Sequence, residues 1–498
     1  MQQNSSETRK IRVLLSPSYF YQFDPKQWRD KKPYPPYGTL YAAAYLRMLG
    51  FDVQVFDTHL CDSPEKIEPI LNSGNFDYFI IYDDGFNYLT KMCLTAMRSA
   101  AFQMINYAKE IGTTVVVNNS DASDHYEKYL RAGAHFVVTG EGEISLGELL
   151  QKLSANDTSA NEVPGTVTMI HQEVLVNPKR PILQDLDLLP DPDWELINIE
   201  AYKKIWLENH GYFSLNIATT RGCPFKCNWC AKPIYGNRYN SRSAQRVAQE
   251  MKHLQTSYGV EHFWIADDIF ALKPGWIDTF AAETRRLSLN IKYKIQSRAD
   301  LLVQANYVRS LAESGLSEAW IGAESGSQKI LDAMDKGITV DQIHEATHLL
   351  KSHNVRVGFF LQFGYIDENW DDIRKTLRMV KELLPEDIGV SVSYPLPGTK
   401  FFEKVKDQLV EKQNWTDSDD LDMMYQGTFS KSFYKILHRY VHCVFRTQQG
   451  LDSLKRILSF SSASLKSTIY QLTSLAYYVP MIIYYRARLY TYMKEKLV

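Results

Sequence analysis

The chain has 498 residues, 45% of them apolar and 23% charged, with a formal net charge of -2. A near-neutral chain with no basic run is a poor match for bulk nucleic acid, and its length exceeds one ordinary core, so roughly two to four domains are expected. The polar start MQQNSSETRK carries no hydrophobic signal segment. The reducing cytoplasm is therefore the expected compartment, and the six cysteines are not expected to form a disulfide framework.

The first 150 residues alternate strand and helix signals. IRVLL (11–15), VQVFD (53–57), DYFIIYDD (77–84), TTVVVNN (113–119) and AHFVVTGEGE (134–143) read as strands. YGTLYAAAYLRMLG (37–50) and the long segment 90–112 read as helices that stop at Gly50 and Gly112. This alternation predicts an α/β unit built on a doubly wound parallel sheet over residues 8–155. Ligands of such sheets bind beyond the carboxyl ends of the strands. Those ends carry Ser16–Pro17–Ser18, Asp83–Asp84–Gly85, Asn118–Asn119–Ser120–Asp121 and Gly140–Glu141–Gly142–Glu143. Each is equally a set of ordinary turn residues. Residues 156–205 are weakly periodic and Pro- and Asp-rich near 181–194, which reads as a linker.

Alternation resumes over 206–410. Strands are expected at 215–220, 262–268, 292–300, 318–326, 355–364 and 387–395, with helices at 243–259, 275–289, 304–314, 341–353 and 370–384. Six strand–helix units predict a partial (β/α)6 barrel, whose chemistry belongs at the carboxyl ends of its strands. From 411 to 498 the chain reads as helical. Its last stretch is uncharged from Ser467 to Tyr485 but is interrupted by Pro480 and Gln471 and followed by Tyr and basic residues. It suits a core helix or one that caps the barrel, with contact at a membrane surface and a true membrane span as the alternatives.

Three of the six cysteines fall in one short segment, Arg221-Gly-Cys223-Pro-Phe-Lys-Cys227-Asn-Trp-Cys230, directly after a predicted strand. Three thiolates can anchor a four-iron, four-sulfur cube and leave one iron open. A structural zinc site would need a fourth ligand. No fourth cysteine follows at such spacing, and only His210 and His253 stand as distant candidates. Cys93, in a helical pattern, and Cys443, in an apolar stretch, read as buried thiols.

C-x3-C-x2-C with Trp229 before the last cysteine resembles the signature of the radical S-adenosylmethionine (SAM) superfamily. FWIADDIFALKP (263–274), IQSRADLL (295–302), WIGAESGSQKIL (320–331), RVGFFLQFG (356–364) and YPLPGTKFFE (394–403) resemble barrel segments of its cobalamin-dependent branch. Residues 11–150, with PPYGTLYAAAYLR and VVTGEGE, resemble that branch's Rossmann-like cobalamin-binding domain. The resemblance implies that Cys223, Cys227 and Cys230 hold a [4Fe-4S] cluster whose open iron chelates SAM, and that the reduced cluster cleaves SAM to a 5′-deoxyadenosyl radical. It places Trp229 near adenine, Asp267 and Asp268 near the methionine amino group, Arg298 near the carboxylate and Glu324 near the ribose. Bland readings are a loop-capping aspartate pair and an Arg298–Glu324 salt bridge. In the first domain the resemblance points to Gly38, Gly140 and Glu141 as cobalamin-binding. One departure concerns the lower-axial histidine: the loop after IRVLL has none, and His59, in Asp57-Thr-His59, lacks the following glycine and reads as incidental. A second is Asn118–Asn119–Ser120–Asp121, which stands where Gly-Gly-Pro-His is common.

The implied activity is methyl transfer to an unactivated carbon of a small-molecule or lipid substrate, with electrons from a partner such as flavodoxin or ferredoxin. Ring closure or rearrangement with the same cofactors is the alternative. A non-catalytic cobalamin module is a third reading, and the complete cysteine set argues against it.

Overall fold

The computed structural model describes residues 9–458 other than 93, 233, 411 and 413, and residues 465–494. Two compact units divide the chain. The first takes residues up to 224 together with 232–292 and 414–420; the second takes 225–231, 293–413 and the remainder. The cysteine segment straddles this division, with Cys223 in the first unit and Cys227 and Cys230 in the second.

The first unit contains a seven-stranded sheet in the order β2-β1-β3-β4-β5-β6-β7. Its strands are β1 (Arg12–Ser16), β2 (Asp52–Val55), β3 (Tyr78–Tyr82), β4 (Thr114–Asn118), β5 (Phe136–Val138), β6 (Thr166–Ile170) and β7 (Glu173–Val176). The first five pair in parallel. Buried on both faces, β1, β3 and β4 are the near-continuous apolar runs that a helix-covered parallel sheet requires. One apolar layer, including Leu14, Phe79, Ile81, Val115 and Val117, packs against the helix Thr95–Glu110 through Ala101, Met104 and Ala108. The other, including Val13, Leu15, Ile80 and Val116, packs against Tyr37–Met48 and Glu143–Ser154 through Ala42, Leu46, Leu146 and Leu150. This is the doubly wound arrangement expected.

Two features depart from the sequence reading. The stretch read as a linker contains the antiparallel hairpin β6–β7, which extends this sheet past β5. The strand expected to run to residue 143 ends at Val138, and Glu143 opens a helix instead. Cys93 lies outside the described residues.

The strands of the half-barrel are β8 (Ser214–Ile217), β11 (His262–Ile265), β12 (Lys292–Ser297), β13 (Leu316–Glu324), β14 (Arg356–Phe363) and β15 (Asp387–Val392). A two-residue ladder, β9 (Thr220–Arg221) with antiparallel β10 (Asn240–Ser241), follows β8. In the first unit β8 pairs with β11, and in the second β12 to β15 pair in sequence, all in parallel. Helices at 244–258, 276–286, 305–313, 340–352 and 370–383 occupy the expected positions. Along β13, Ala319, Ile321 and Ala323 are buried, alternating with the half-buried Glu318 and Trp320 and then with Gly322, which is buried as well. The period of two separates a helix-covered face from the face that carries the polar side chains.

The second unit ends in two long helices, Lys431–Leu458 and Leu465–Lys494, packed on one another. Cys443 is buried, as expected, and burial pushes its thiol pKa up. On the last helix Tyr485 and Leu489 are buried, while Tyr477, Val479, Ile483, Tyr484 and Tyr490 are exposed. Among the described residues no helix is long and apolar enough to cross a membrane.

After β14 the chain turns at Gly364, whose N–H donates to Glu368 Oε2 at 2.6 Å. Glu368 is fully buried, and its Oε1 has no hydrogen-bond partner. Burial pushes this carboxyl up to about 8, against 4.5 in the free side chain, with the Gly364 N–H pulling the other way. Between those values the folded chain keeps a proton that the unfolded chain releases. This contribution is intact below 4.5 and is lost as pH rises toward 8. Glu368→Gln is expected to flatten that part of the stability profile in thermal melts. An identical slope in both proteins would contradict the assignment.

Candidate functional site

In the second unit the candidate site residues are organised around Asn228, inside the cysteine segment. Asn228 is almost fully buried and uses every polar group. Its backbone N–H donates to Met334 O at 3.0 Å, and its carbonyl accepts from Phe401 N at 2.9 Å. Its Nδ2 donates to Ala333 O at 2.7 Å, and its Oδ1 accepts from Tyr365 Oη at 2.7 Å. Four contacts to three separate chain segments pin the loop that presents Cys227 and Cys230. Cys230 N closes a tight turn on Cys227 O at 3.2 Å, and both thiols stay partly exposed.

Arg298 follows the carboxyl end of β12. Its guanidinium lies 3.7 Å over the Phe225 ring and 3.8 Å from Cys227 Sγ. Asp300 holds it through Nε and Nη2 at 3.0 and 3.1 Å, and Nη2 also reaches Gly337 O at 3.3 Å. This planar fork fixes the cation's orientation.

Glu324 is the last residue of β13. Its backbone is left-handed, φ 54°, at a register shift between Gly322 and Glu324. A non-glycine residue held there is strained and needs surrounding structure to fix it. The fixing contact is Lys336 Nζ, 2.7 Å from Glu324 Oε1, with both side chains buried. The Lys336 ammonium also lies 5.9 Å from the Trp229 ring centroid. Burial alone lowers the Lys336 pKa, but Glu324 and then Cys227 outweigh it, so the pKa is raised and the side chain stays charged. Arg298 and Glu324 thus do not pair with each other; each has its own partner. Trp229 Nε1 is buried without a partner, a donor left open.

The first unit builds around the start of the cysteine segment. Arg221, paired within β9, is buried and donates to Glu141 at 2.6 Å and to Glu143 at 2.7 and 3.1 Å. The rings of Tyr41, Phe86 and Tyr235 surround its guanidinium at 5.2–5.6 Å. Gly222 is left-handed, and a Cβ there would sit 2.2 Å from Arg238 O, so only glycine lets the chain pass to Cys223. Cys223 N then points to Gly236 O at 3.5 Å.

The other expected site residues of this unit are largely committed to protein contacts. Asp267 is buried and accepts from Thr219 N at 2.7 Å, Thr220 N at 3.0 Å and the Thr219 hydroxyl. Burial nevertheless pushes it up to about 7. Asp268 pairs with Lys91 at 2.6 Å. Glu141 has its second oxygen on Leu183 N at 2.7 Å. Gly38 N donates to Asp84 Oδ1, and Gly140 O accepts from Asn118 Nδ2, both at 3.1 Å. His59 is buried with Nδ1 on Tyr34 O at 2.7 Å. His210 bonds Lys31 O through Nε2, and His253 is exposed on a helix.

Beyond the carboxyl ends of β3 and β4, Tyr82, Asp83, Gly85, Thr90, Asn118, Asn119, Ser120, Ile234 and Tyr235 line a narrow crevice with almost no free volume. Asp83 is held by Ser18 and pushed up to about 6 by burial. Ser120 Oγ, in the lining, and the nearby Asp84 Oδ2 are buried without partners. Such atoms fit a ligand rich in amides or hydroxyls.

Sequence reading missed Arg221, Asn228, Tyr235 and Lys336 as parts of the site. Arg221 and Asn228 lie within the motif, where the only signal was adjacency to the cysteines. Tyr235 and Lys336 carried no sequence signal.

Residues 217–380 match the model described as the Radical SAM superfamily, so the chain carries a radical SAM domain. It is 28% identical over 311 residues to an uncharacterised methyltransferase of Pyrococcus horikoshii, covering 61% of this chain and 65% of that one. It is 27% identical over 283 residues to the anaerobic magnesium-protoporphyrin IX monomethyl ester cyclase of Cereibacter sphaeroides, covering 55% and 45%. These matches therefore span less than two thirds of either relative. Among solved structures, the cobalamin-dependent SAM radical enzyme OxsB with aqua-cobalamin bound superposes with TM-score 0.72 at 16% identity, covering 96% of this chain and 72% of that one. The chain has the fold of that group.

Replacing Arg221 with Met would leave Glu141 and Glu143 buried without their cation. Breaking a buried pair in this way costs about 3–5 kcal/mol. Arg221→Lys should recover only part, because an ammonium cannot reproduce the two-pronged contact with Glu143. Denaturant midpoints of the three proteins test this; an unchanged midpoint for Arg221→Met would contradict it.

Proposed function

We propose that the chain is a cobalamin-dependent radical SAM enzyme that transfers a methyl group to an unactivated carbon of a small-molecule or lipid substrate. The observation that carries this reading is the paired arrangement in the second unit. Two motif cysteines sit on a fully pinned loop, next to an oriented guanidinium and a buried Lys336–Glu324 pair. The relative named as a methyltransferase supports the reaction class.

The donor set fits a [4Fe-4S] cluster. The motif offers three thiols and no fourth, the chemistry that suits a cube with one iron left open, although among the described residues these thiols are not gathered into a ready metal cage. Cys223, Cys227 and Cys230 would ligate the cluster by the spacing of their motif. When bound, such a cluster supplies a one-electron reduction of SAM at its open iron. Around it, Arg298 offers a cation for a carboxylate, Glu324 Oε2 accepts from a hydroxyl, and Trp229 Nε1 offers a donor. Asp267 acts at one remove, holding the backbone of Thr219 and Thr220 just before Arg221. Asp268, partly exposed, is already paired with Lys91, and a substrate ammonium group there would share its carboxylate with that lysine.

In the first unit cobalamin would lie at the carboxyl ends of β3 and β4, a placement supported by the buried, unpaired polar atoms of Ser120 and Asp84. Bound there, cobalamin supplies a methyl carrier. Gly140 would stand beside it, while Gly38 and Glu141 shape the site through Asp84 and Arg221. A low-potential donor such as flavodoxin or ferredoxin would deliver the electrons.

The test is anaerobic reconstitution of the full chain with iron, sulfide and hydroxocobalamin, followed by SAM and dithionite. S-adenosylhomocysteine together with 5′-deoxyadenosine is expected, and Cys227→Ala should abolish the deoxyadenosine. Deoxyadenosine without S-adenosylhomocysteine would favour the ring-forming chemistry suggested by the cyclase relative. Unimpaired cleavage in Cys227→Ala would overturn the proposal.

A further inference from the structure

We propose that Lys336 is a positioning residue that orients Glu324 and, with Arg298, sets the electrostatic field at Cys227, and so eases reduction of a cluster held there. The inference rests on the cluster reading above and concerns only residues of the second unit.

The geometry is closed on itself. Lys336 is 6% exposed and Glu324 4% exposed, and their charged atoms are 2.7 Å apart. Arg298 is 7% exposed, and Asp300 is its carboxylate. The four formal charges sum to zero, two cations against two carboxylates. Any negative charge on Cys227, or on a cluster it ligates, is then the net charge of the group. Burial makes each unit charge count for more than it would in water. Removing Lys336 leaves Arg298 alone against two carboxylates, a change of one full charge where an electron must be added. The reduced state should therefore become harder to reach.

Gly322 shows that this contact is built in. A Cβ there would sit 2.6 Å from Lys336 Nζ and 2.9 Å from Glu324 Oε1. The strand thus leaves out a side chain where the ammonium approaches. A purely structural lysine that tied the end of β13 to the following loop would also account for the contact. It would not predict the sign of a redox shift.

The experiment compares the reconstituted full chain with Lys336→Met, Lys336→Arg and Glu324→Gln, in dithionite titrations followed by electron paramagnetic resonance, with iron per chain measured in parallel. Poised at the wild-type midpoint, Lys336→Met is expected to show about a threefold lower ratio of reduced to oxidised cluster at unchanged iron content. Lys336→Arg should match the wild type. Glu324→Gln removes a negative charge and should move the ratio the other way, and it decides the matter if Lys336→Met fails to fold. Equal ratios in wild type and Lys336→Met at full iron, or a shift of Glu324→Gln toward the oxidised form, would overturn the proposal. A wild-type chain that yields no cluster signal would overturn the cluster reading instead.

Discussion

A cation taken out of water must bring its counter-charge with it. Where the polar ends of the strands are buried, the chain meets this demand with named pairs. In the first unit Arg221 is held by Glu141 and Glu143, and the fully buried Arg242 by the buried Glu250 and the half-exposed Asp191. In the second, Arg298 is held by Asp300 and Lys336 by Glu324. Such pairs add little net stability over an apolar core, but removing one partner is costly. They buttress the backbone around the cysteines and fix where charge stands.

The same constraint explains why several expected site residues turn out to be supports. Asp267 spends both oxygens on Thr219 and Thr220. Glu141 spends one on Arg221 and the other on Leu183. These carboxylates hold the chain that leads into Cys223. Arg298, by contrast, stands beside Cys227, and Lys336 lies over the Trp229 ring of the same loop, each buried with its charge balanced by a carboxylate.

Much of this was legible in the sequence. The strands β1, β3 and β4 are unbroken apolar runs between turn residues, and the alternation of strand with helix set the architecture. The cysteine spacing singled out the loop. What the sequence hid depends on long separations. Arg221 meets Glu141 across 80 positions, Asn228 meets Tyr365 across 137, and neither distance leaves a local pattern. Lys336 sits in a short polar loop whose composition reads as a turn. The hairpin β6–β7 was obscured because β7 is mostly solvent-facing, so its apolar signal is weak.

The central claim is that three cysteines hold a cluster with one iron left for SAM. Mössbauer spectra of the full chain reconstituted with iron-57, taken before and after adding SAM, test it directly. The account predicts one iron site in four whose parameters change on adding SAM while the other three stay constant. Four iron sites that are all unaffected by SAM, or a protein that retains zinc and no cluster, would contradict it.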